Sequence, residues 1–356
     1  MTRLDWVILR RIGSRIILAV LIIFGLIALV ESLDTWRFSH LSEQGGPGLA
    51  ILAILVSAAR WTIKTLSVTV LIGATLGMLE LQARQELTVI KSSGFSIWRL
   101  MRAPLIVTVL AAALIAFVAD GIATSINRTI NYASPNYAAA LTPPGEVWFE
   151  QSAQNQRYII MASKVVPASF VLNDVTVFLF DDPDGVRLRS DEASLVGGEW
   201  VFATAFRFNA DAPPVQLDNF RLPTTSTLAD LRLKLNSPDD MTLWELANAL
   251  AARISDPGLR AAATTRLLKL LTLPVLLVGS LFIAFAFTAG YRRTSKYGTS
   301  VLYAIVLGFV VFVITELADR AGSSGVIDPA FAAVGPACVA IVIGMTVLLY
   351  KEDGRA

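Results

Sequence analysis

The sequence predicts an α+β membrane protein, with six transmembrane helices, both chain ends in the cytoplasm, and an antiparallel β domain inserted between the third and fourth spans. Three observations predict it. Of 356 residues, 54% are hydrophobic and only 16% are charged, with a mean hydropathy of +0.61. Soluble domains carry about 25% charged residues, and a soluble core of this length does not bury so much apolar surface. Disorder is excluded on the same ground. The second observation is a set of six long apolar runs. The third is the placement of Lys and Arg between them.

A helix needs roughly 20 apolar residues to cross a bilayer core. The first run is Ile16 to Val30, extending to Leu33, behind the basic flank Arg10, Arg11 and Arg15. No small-residue cleavage site follows it, so it reads as an uncleaved anchor. The second runs from Thr62 to Leu81. An apolar stretch from Leu49 to Val56 precedes it, so one long helix is expected to project beyond the membrane. The others are Ala103 to Ile122, Leu267 to Thr288, Tyr297 to Leu317 and Pro329 to Tyr350.

Lys and Arg in short loops set orientation. Arg3, Arg10, Arg11 and Arg15 precede the first span, and Arg84, Lys91, Arg99 and Arg102 separate the second and third. Arg292, Arg293 and Lys296 separate the fourth and fifth, and Lys351 and Arg355 follow the sixth. These thirteen face only Arg37 and Arg320 in the opposite short loops. Residues 1–124 then hold the first three spans, with a cytoplasmic helix near 84–98. Residues 125–264 form the external insert and 265–356 the last three spans.

Within the insert, Val147–Glu150, Arg157–Met161, Val175–Phe180 and Trp200–Phe208 are rich in β-branched and aromatic residues, as strands are. Asp181–Gly185, Gly197-Gly198 and Ala212-Pro213-Pro214 read as turns. Short strands without intervening helices indicate an antiparallel sandwich or a half-open roll. After them, Thr242-Leu-Trp-Glu245 is a capping box opening an amphipathic helix, Leu243 to Ile254, which reads as a connector to the fourth span.

The chemistry of an enzyme is missing. No Gly-rich phosphate loop is present. A single cysteine, Cys338, and a single histidine, His40, leave no disulfide framework and no Cys/His zinc site. His40 falls in a short loop, where a surface histidine is the plainer reading than a catalytic base. Asp181, Asp182, Asp184, Asp191 and Glu192 cluster at turns. The formal charge of +2 gives no footprint for nucleic acid. No cofactor or metal is implied.

Two groups of residues stand out. In the second-to-third connection, Glu86 to Lys91 reads as a short helix capped by Gly94. With Arg84 it is either a docking element for a cytoplasmic partner or a solvated reversal loop. Near the outer face, Arg60 and Lys64 lie four apart, on one helix side. A charge facing lipid is costly, so they should meet water, the bundle interior or an anion. Arg37 and Arg128 lie near the same level. A basic ring around a cavity mouth and simple snorkelling to headgroups both fit.

The order of elements resembles a known family. Two spans, a short helix with Glu86-Leu-Thr-Val and Ser93-Gly-Phe-Ser96, a third span, a β insert and three further spans resemble the lipopolysaccharide export permeases LptF and LptG, the LptG-like branch more than LptF. Arg10-Arg-Ile-Gly13, Leu76-Gly-Met-Leu79, Tyr291-Arg-Arg293, Gly298, Gly308-Phe309, Gly325-Val-Ile-Asp-Pro329 and Pro336 extend the likeness over essentially the whole chain. The resemblance implies a transport half without catalytic chemistry of its own, in the inner membrane of a bacterium. It implies pairing with a homologous LptF-type permease and driving by a cytoplasmic ABC ATPase dimer. A periplasmic β-jellyroll would pass lipopolysaccharide to LptC/LptA-type bridge proteins. Glu86 falls where the family's coupling-helix carboxylate meets the ATPase, with Arg84, Lys91 and Gly94 around it. Arg60 falls on a basic substrate-contact position and Arg128 on a basic position after the third span; with Lys64, Arg37 and Asp34 they are the expected lipid-contact residues. The chain departs from the family pattern in lacking the proline of the second span. After the first span, Asp34, Arg37 and His40 stand in place of a lysine-rich stretch. The competing readings are a membrane-anchored scaffold or sensor, which would have no ATPase partner, and a lipid-modifying enzyme. The latter would have only Glu31, Asp34, Asp120 and Glu316 as interfacial carboxylates.

Overall fold

The structure is a computed structural model and describes residues 3–133, 147–153, 156–166, 171–180, 187–209, 212–224, 238–251, 257–288 and 297–352. Among the described residues, ten α-helices and six strands follow one another. They are α1 Arg3–Ser32, α2 Thr35–Lys64, α3 Leu66–Ala83, α4 Glu86–Ser92, α5 Ile97–Leu114, α6 Asp120–Ala133, β1 Val147–Ala153, β2 Gln156–Val166, β3 Val171–Leu179, β4 Arg187–Val196, β5 Glu199–Asn209, β6 Ala212–Pro223, α7 Leu243–Ala251, α8 Pro257–Thr288, α9 Tyr297–Ser323 and α10 Pro329–Glu352. A π-helical turn, Ile115–Ala119, joins α5 to α6. The chain divides into two compact units. One holds residues 1–127, 242–246 and 261–356; the other holds 128–241 and 247–260.

Among the described residues, six helices have the length and composition to cross a membrane. Two of these, Gly45–Lys64 and Leu66–Ala83, meet at Thr65. There the ladder does not break, since the Thr65 N–H donates to Trp61 and the Thr69 N–H to Thr65, each at 3.1 Å. They therefore run in one direction as one rod, and they make one crossing with an extension, as the sequence predicts. Helix α9, with 27 residues, carries the fifth apolar run. The crossings α1, α2–α3, α5–α6, α8, α9 and α10 thus number six.

Helix α2 is bent near its start. Gly46 has φ 78° and ψ 169°, followed by Pro47, and this lets Phe38 and Leu41 fold back toward Ala50, Ala53 and Ile54. Along α3, Gly73 and Gly77 leave the backbone of α1 in close approach. A Cβ on Gly73 would stand 2.6 Å from the Ile16 Cα, and one on Gly77 2.9 Å from the Ile12 Cα. Small residues four apart are how membrane helices approach without a solvent-driven hydrophobic effect. The core of this unit gathers Ile8, Ile12, Val70, Ala74, Met78, Leu81, Leu277, Leu281 and Phe285.

The second unit is a six-stranded antiparallel meander in the order β1-β2-β3-β4-β5-β6. A flat sheet would hold β1 and β5 about 19 Å apart, from a spacing near 4.8 Å per strand. Instead the Trp200 Nε1–H on β5 donates to Gln151 Oε1 on β1 at 3.0 Å. The Tyr158 hydroxyl on β2 donates to the Pro223 carbonyl on β6 at 2.6 Å. The sheet is therefore curled into a roll, and of the two forms the sequence left open it is the half-open one. Tyr158, Ile160, Val175, Val177, Leu188, Trp200 and Phe202 fill its inner face.

Two strands escape the propensity reading. β4 carries Arg187, Arg189, Ser190, Asp191 and Glu192, and only alternate residues such as Leu188, Ser190 and Ala193 turn inward. β6 begins at Ala212-Pro213-Pro214, expected to be a turn. It pairs only with β5, so the missing proline N–H groups cost no ladder bonds on that edge. Gly197 and Gly198, at φ 64° and 84°, make the predicted β4–β5 turn, where positive φ at both residues suits the strand twist. The predicted turn at 181–185 lies outside the described residues.

Candidate functional site

The predicted cytoplasmic helix forms as α4. Gly94, at φ 81°, follows it, and the Phe95 N–H reaches the Ile90 carbonyl at 3.4 Å, a left-handed helix stop only glycine adopts without steric cost. At the other end, Gln85 takes φ 56°, so two residues, Arg84 and Gln85, turn the chain from α3 into α4. Glu86 opens α4, with 32% of its side chain exposed. It accepts from Arg11 Nη2 at 3.4 Å. The side chain of Lys91 lies outside the described residues.

Glu80, one turn before that corner, collects three arginines. Arg15 Nε donates to it at 2.6 Å, Arg84 stands at 3.2 Å and Arg11 at 3.8 Å. Its side chain is only 13% exposed. Gln82 donates to the Thr288 carbonyl at the end of α8. The neighbouring ends of α1, α3, α4 and α8, on the side expected to be cytoplasmic, are thus tied by polar contacts. Counting loop charges marks Arg11 and Arg15 only as topology signals, whereas Arg84 was also placed in the candidate docking element. Glu80 is the one carboxylate in the apolar run Thr62 to Leu81, and that was its signal.

The outer residues divide by what they touch. Asp34 is the N-cap of α2 and accepts the Arg37 N–H at 3.1 Å. Arg37 donates to Glu31 at 3.3 Å. In the other unit, Arg128 Nη2 donates to the Asp240 carbonyl at 2.6 Å. Lys64 Nζ lies 5.2 Å from the Trp61 ring centre, within cation–π range. Arg60, one turn away on the same helix, is half-buried.

The α1–α3 packing sets the depth of these cations. With Gly73 facing Ile16 and Gly77 facing Ile12, the antiparallel register places Lys64 at about the level of Gly25 and Arg60 at about that of Leu29. Lys64 is therefore inside the bilayer's apolar depth. It lines a cavity of about 40 Å³ with Ser67, Arg266, Lys269, Thr272, Thr315 and Asp319. Such a volume is large enough for a few waters, and its polar groups stand among Ile63, Leu270, Leu273 and Leu276. Lys269 donates to Asp319 at 2.6 Å. Arg266 Nη2 donates to both carboxylate oxygens of Asp120, at 2.9 and 3.1 Å.

Ionisable residues at membrane depth mark functional sites by default, and here five converge within one unit. Sequence reasoning placed only Lys64 among them as a site residue. Arg266 and Lys269 lie three apart at the start of one apolar run, Asp319 follows the end of another and Asp120 lies inside a third. Their pairing is visible only when it is known which spans touch. Among the described residues no cluster suited to a metal ion occurs.

The charges line an intramembrane cavity and tie a short helix at the expected cytoplasmic ends; nothing in either place resembles a catalytic dyad. No match was found among curated protein sequences. A family model, lipopolysaccharide export system permease LptF/LptG, matches residues 6–350. With nearly the whole length matched, the chain belongs to the LptF/LptG family of lipopolysaccharide export permeases.

Proposed function

We propose that this chain is the membrane half of an ABC transporter that extracts lipopolysaccharide from the bacterial inner membrane and passes it to a periplasmic bridge. The observation that carries this reading is the family match over residues 6–350, joined to a chain with six crossings and a curled β insert. Both chain ends lie in the cytoplasm and the β domain in the periplasm, on the thirteen-to-two asymmetry of Lys and Arg in short loops. A separate cytoplasmic ATPase dimer binds α4, with Glu86 as the contact carboxylate and Arg84, Lys91 and Gly94 shaping the element. A homologous LptF-type permease completes the membrane half, and LptC/LptA-type β-jellyrolls receive the lipid.

Lys64 and Arg60 are the strongest candidates for the lipid's anionic groups, since the α1–α3 register sets Arg60 level with Leu29, near the outer end of the first span, and Lys64 one turn deeper. Arg37 and Asp34, and Arg128 in the other unit, are further candidates, each held by an internal bond. The test is purification from the native membrane under mild detergent, followed by reconstitution. A copurifying ATPase, and ATP-dependent release of lipopolysaccharide from the vesicles to a soluble bridge protein, are expected. A chain that purifies with no ATPase would return the β insert to a merely anchored scaffold. A reporter active only in the cytoplasm should work when fused after Ala356 and fail within residues 181–186.

A further inference from the structure

We infer that Arg11 is a positioning residue that links the ATPase-docking helix α4 to the first span. This rests on the export reading and adds a route for force within the chain. The Arg11 guanidinium stands between two carboxylates on different elements. Nη1 lies 3.8 Å from Glu80 on α3, and Nη2 lies 3.4 Å from Glu86 on α4. A planar fork can serve two acceptors at once, which a lysine point charge does less well. Arg11 itself belongs to α1, whose Ile12 and Ile16 press against the Gly77 and Gly73 backbone.

Holding α1 to α3 does not require Arg11. The close backbone approach at both glycines does that, and Arg15 already satisfies Glu80 at 2.6 Å. The arm on Glu86 is what Arg11 adds. Covalently, α4 hangs from α3 by Arg84 and Gln85 alone, and Gln85 holds φ 56°, a conformation costly for a residue with a Cβ. Any displacement of α4 by a moving partner therefore has three routes into the membrane. Two are covalent, the corner to α3 and the Ser93–Ser96 link to α5; the third is the Glu86–Arg11 contact to α1. The third reaches the span whose outer end precedes Asp34 and Arg37, and whose level matches Lys64 and Arg60.

The experiment uses the whole reconstituted transporter and reads lipopolysaccharide exported per ATP hydrolysed. This ratio does not change when a variant merely lowers the amount of assembled complex. Arg11→Gln should assemble with the ATPase yet export at least five-fold less lipid per ATP. Arg11→Lys should give an intermediate ratio. In a Glu86→Gln background, Arg11→Gln should cause no further loss, because both act through one contact. A wild-type ratio in both Arg11 variants overturns the link. So does failure of Arg11→Gln to assemble, which would assign the residue to holding the helices together. A wild-type complex that neither retains an ATPase nor exports lipid sinks the export reading instead, and the two failures are told apart by that control.

Discussion

Arg266 on α8 and Asp120 at the start of α6 form a buried ion pair with two hydrogen bonds, 2.9 and 3.1 Å, and side chains only 8% and 3% exposed. Asp120 directly follows the π-helical turn Ile115–Ala119, a local widening that interrupts the ordinary ladder and is frequent at functional sites. Removing one partner strands the other charge, which costs roughly 3–5 kcal/mol, whereas replacing both by apolar residues is often neutral. Asp120→Ala should therefore lower the melting temperature of the purified protein strongly. The double variant Asp120→Leu with Arg266→Met should recover most of the loss. An unchanged melting temperature in Asp120→Ala would mean that water reaches the pair freely.

Gly73 and Gly77 set a second, steric expectation. The atoms a Cβ would meet are the Ile16 and Ile12 Cα at 2.6 and 2.9 Å. Backbone cannot swing aside as a side chain can, so the helices must separate. Gly73→Val should cost about 1–3 kcal/mol or more from overpacking, with Gly77→Val similar and Gly73→Ala smaller. Gly13 and Gly25 on α1 have open space at the same test, and Ala there should be nearly silent. Heat-induced aggregation of the five variants in detergent checks the order.

The roll predicts a response to alkali. Burial pushes the Tyr158 hydroxyl up to about 12, against a smaller lowering by its contact with Thr224. Its folded value lies above the unfolded value near 10. The neutral hydroxyl is thus favoured in the fold, and its contribution is complete below about pH 10. It fades as pH rises from about 10 to 12, since the unfolded chain then binds fewer protons. Two units are worth on the order of 2–3 kcal/mol. Loss of near-ultraviolet circular dichroism above pH 10 should be steep in the wild type and shallower in Tyr158→Phe. Equal slopes would place the alkaline transition elsewhere.

How much of this was legible depended on whether the signal was local. The apolar runs are local, and every one became a helix. The Thr242–Glu245 capping box is local, and the Thr242 N–H reaches Glu245 at 2.9 Å while the Glu245 N–H reaches Thr242 at 3.4 Å. Gly94 as a helix stop is local too. β4 and β6 were missed because their inward residues are small or widely spaced among polar ones, so propensity sees surface. The Glu80 hub and the Asp120–Arg266 pair were missed for a different reason. The latter partners are 146 residues apart, and no periodicity within one helix shows which charge on another helix will neutralise it.

Lys64 carries a prediction about lipid. At the level of Gly25 its ammonium is inside the apolar span, beside a cavity that it lines with Arg266 and Lys269. Charge-assisted contacts are worth about 1.5–3 kcal/mol, or roughly ten- to a hundred-fold in binding. Lys64→Glu and Arg60→Glu should reduce lipopolysaccharide copurifying with the complex by about that factor while the ATPase stays attached. Replacement by Gln should do less. Full lipid retention in Lys64→Glu would leave snorkelling and the Trp61 contact as the account of this lysine.

Glu86 carries the last prediction, because its carboxylate has one partner among the described residues and a face open to solvent. Arg11 approaches one oxygen at 3.4 Å, and about a third of the side chain stays open to solvent. A basic groove on the ATPase can therefore take the free face of the same carboxylate. Truncating one partner of a desolvated charge pair costs roughly 2–5 kcal/mol, largely from the charge left behind. Glu86→Ala should lose the copurifying ATPase, or keep it with hydrolysis no longer yielding export. Membrane insertion should be unaffected, since the residue follows the apolar run of α3. Were Glu86 only a solvated loop carboxylate, replacement would cost within about 0.5 kcal/mol. Glu86→Lys is the sharper variant, since it opposes both Arg11 and a basic groove. Normal ATPase retention with normal export in Glu86→Ala and Glu86→Lys would remove α4 from the docking role.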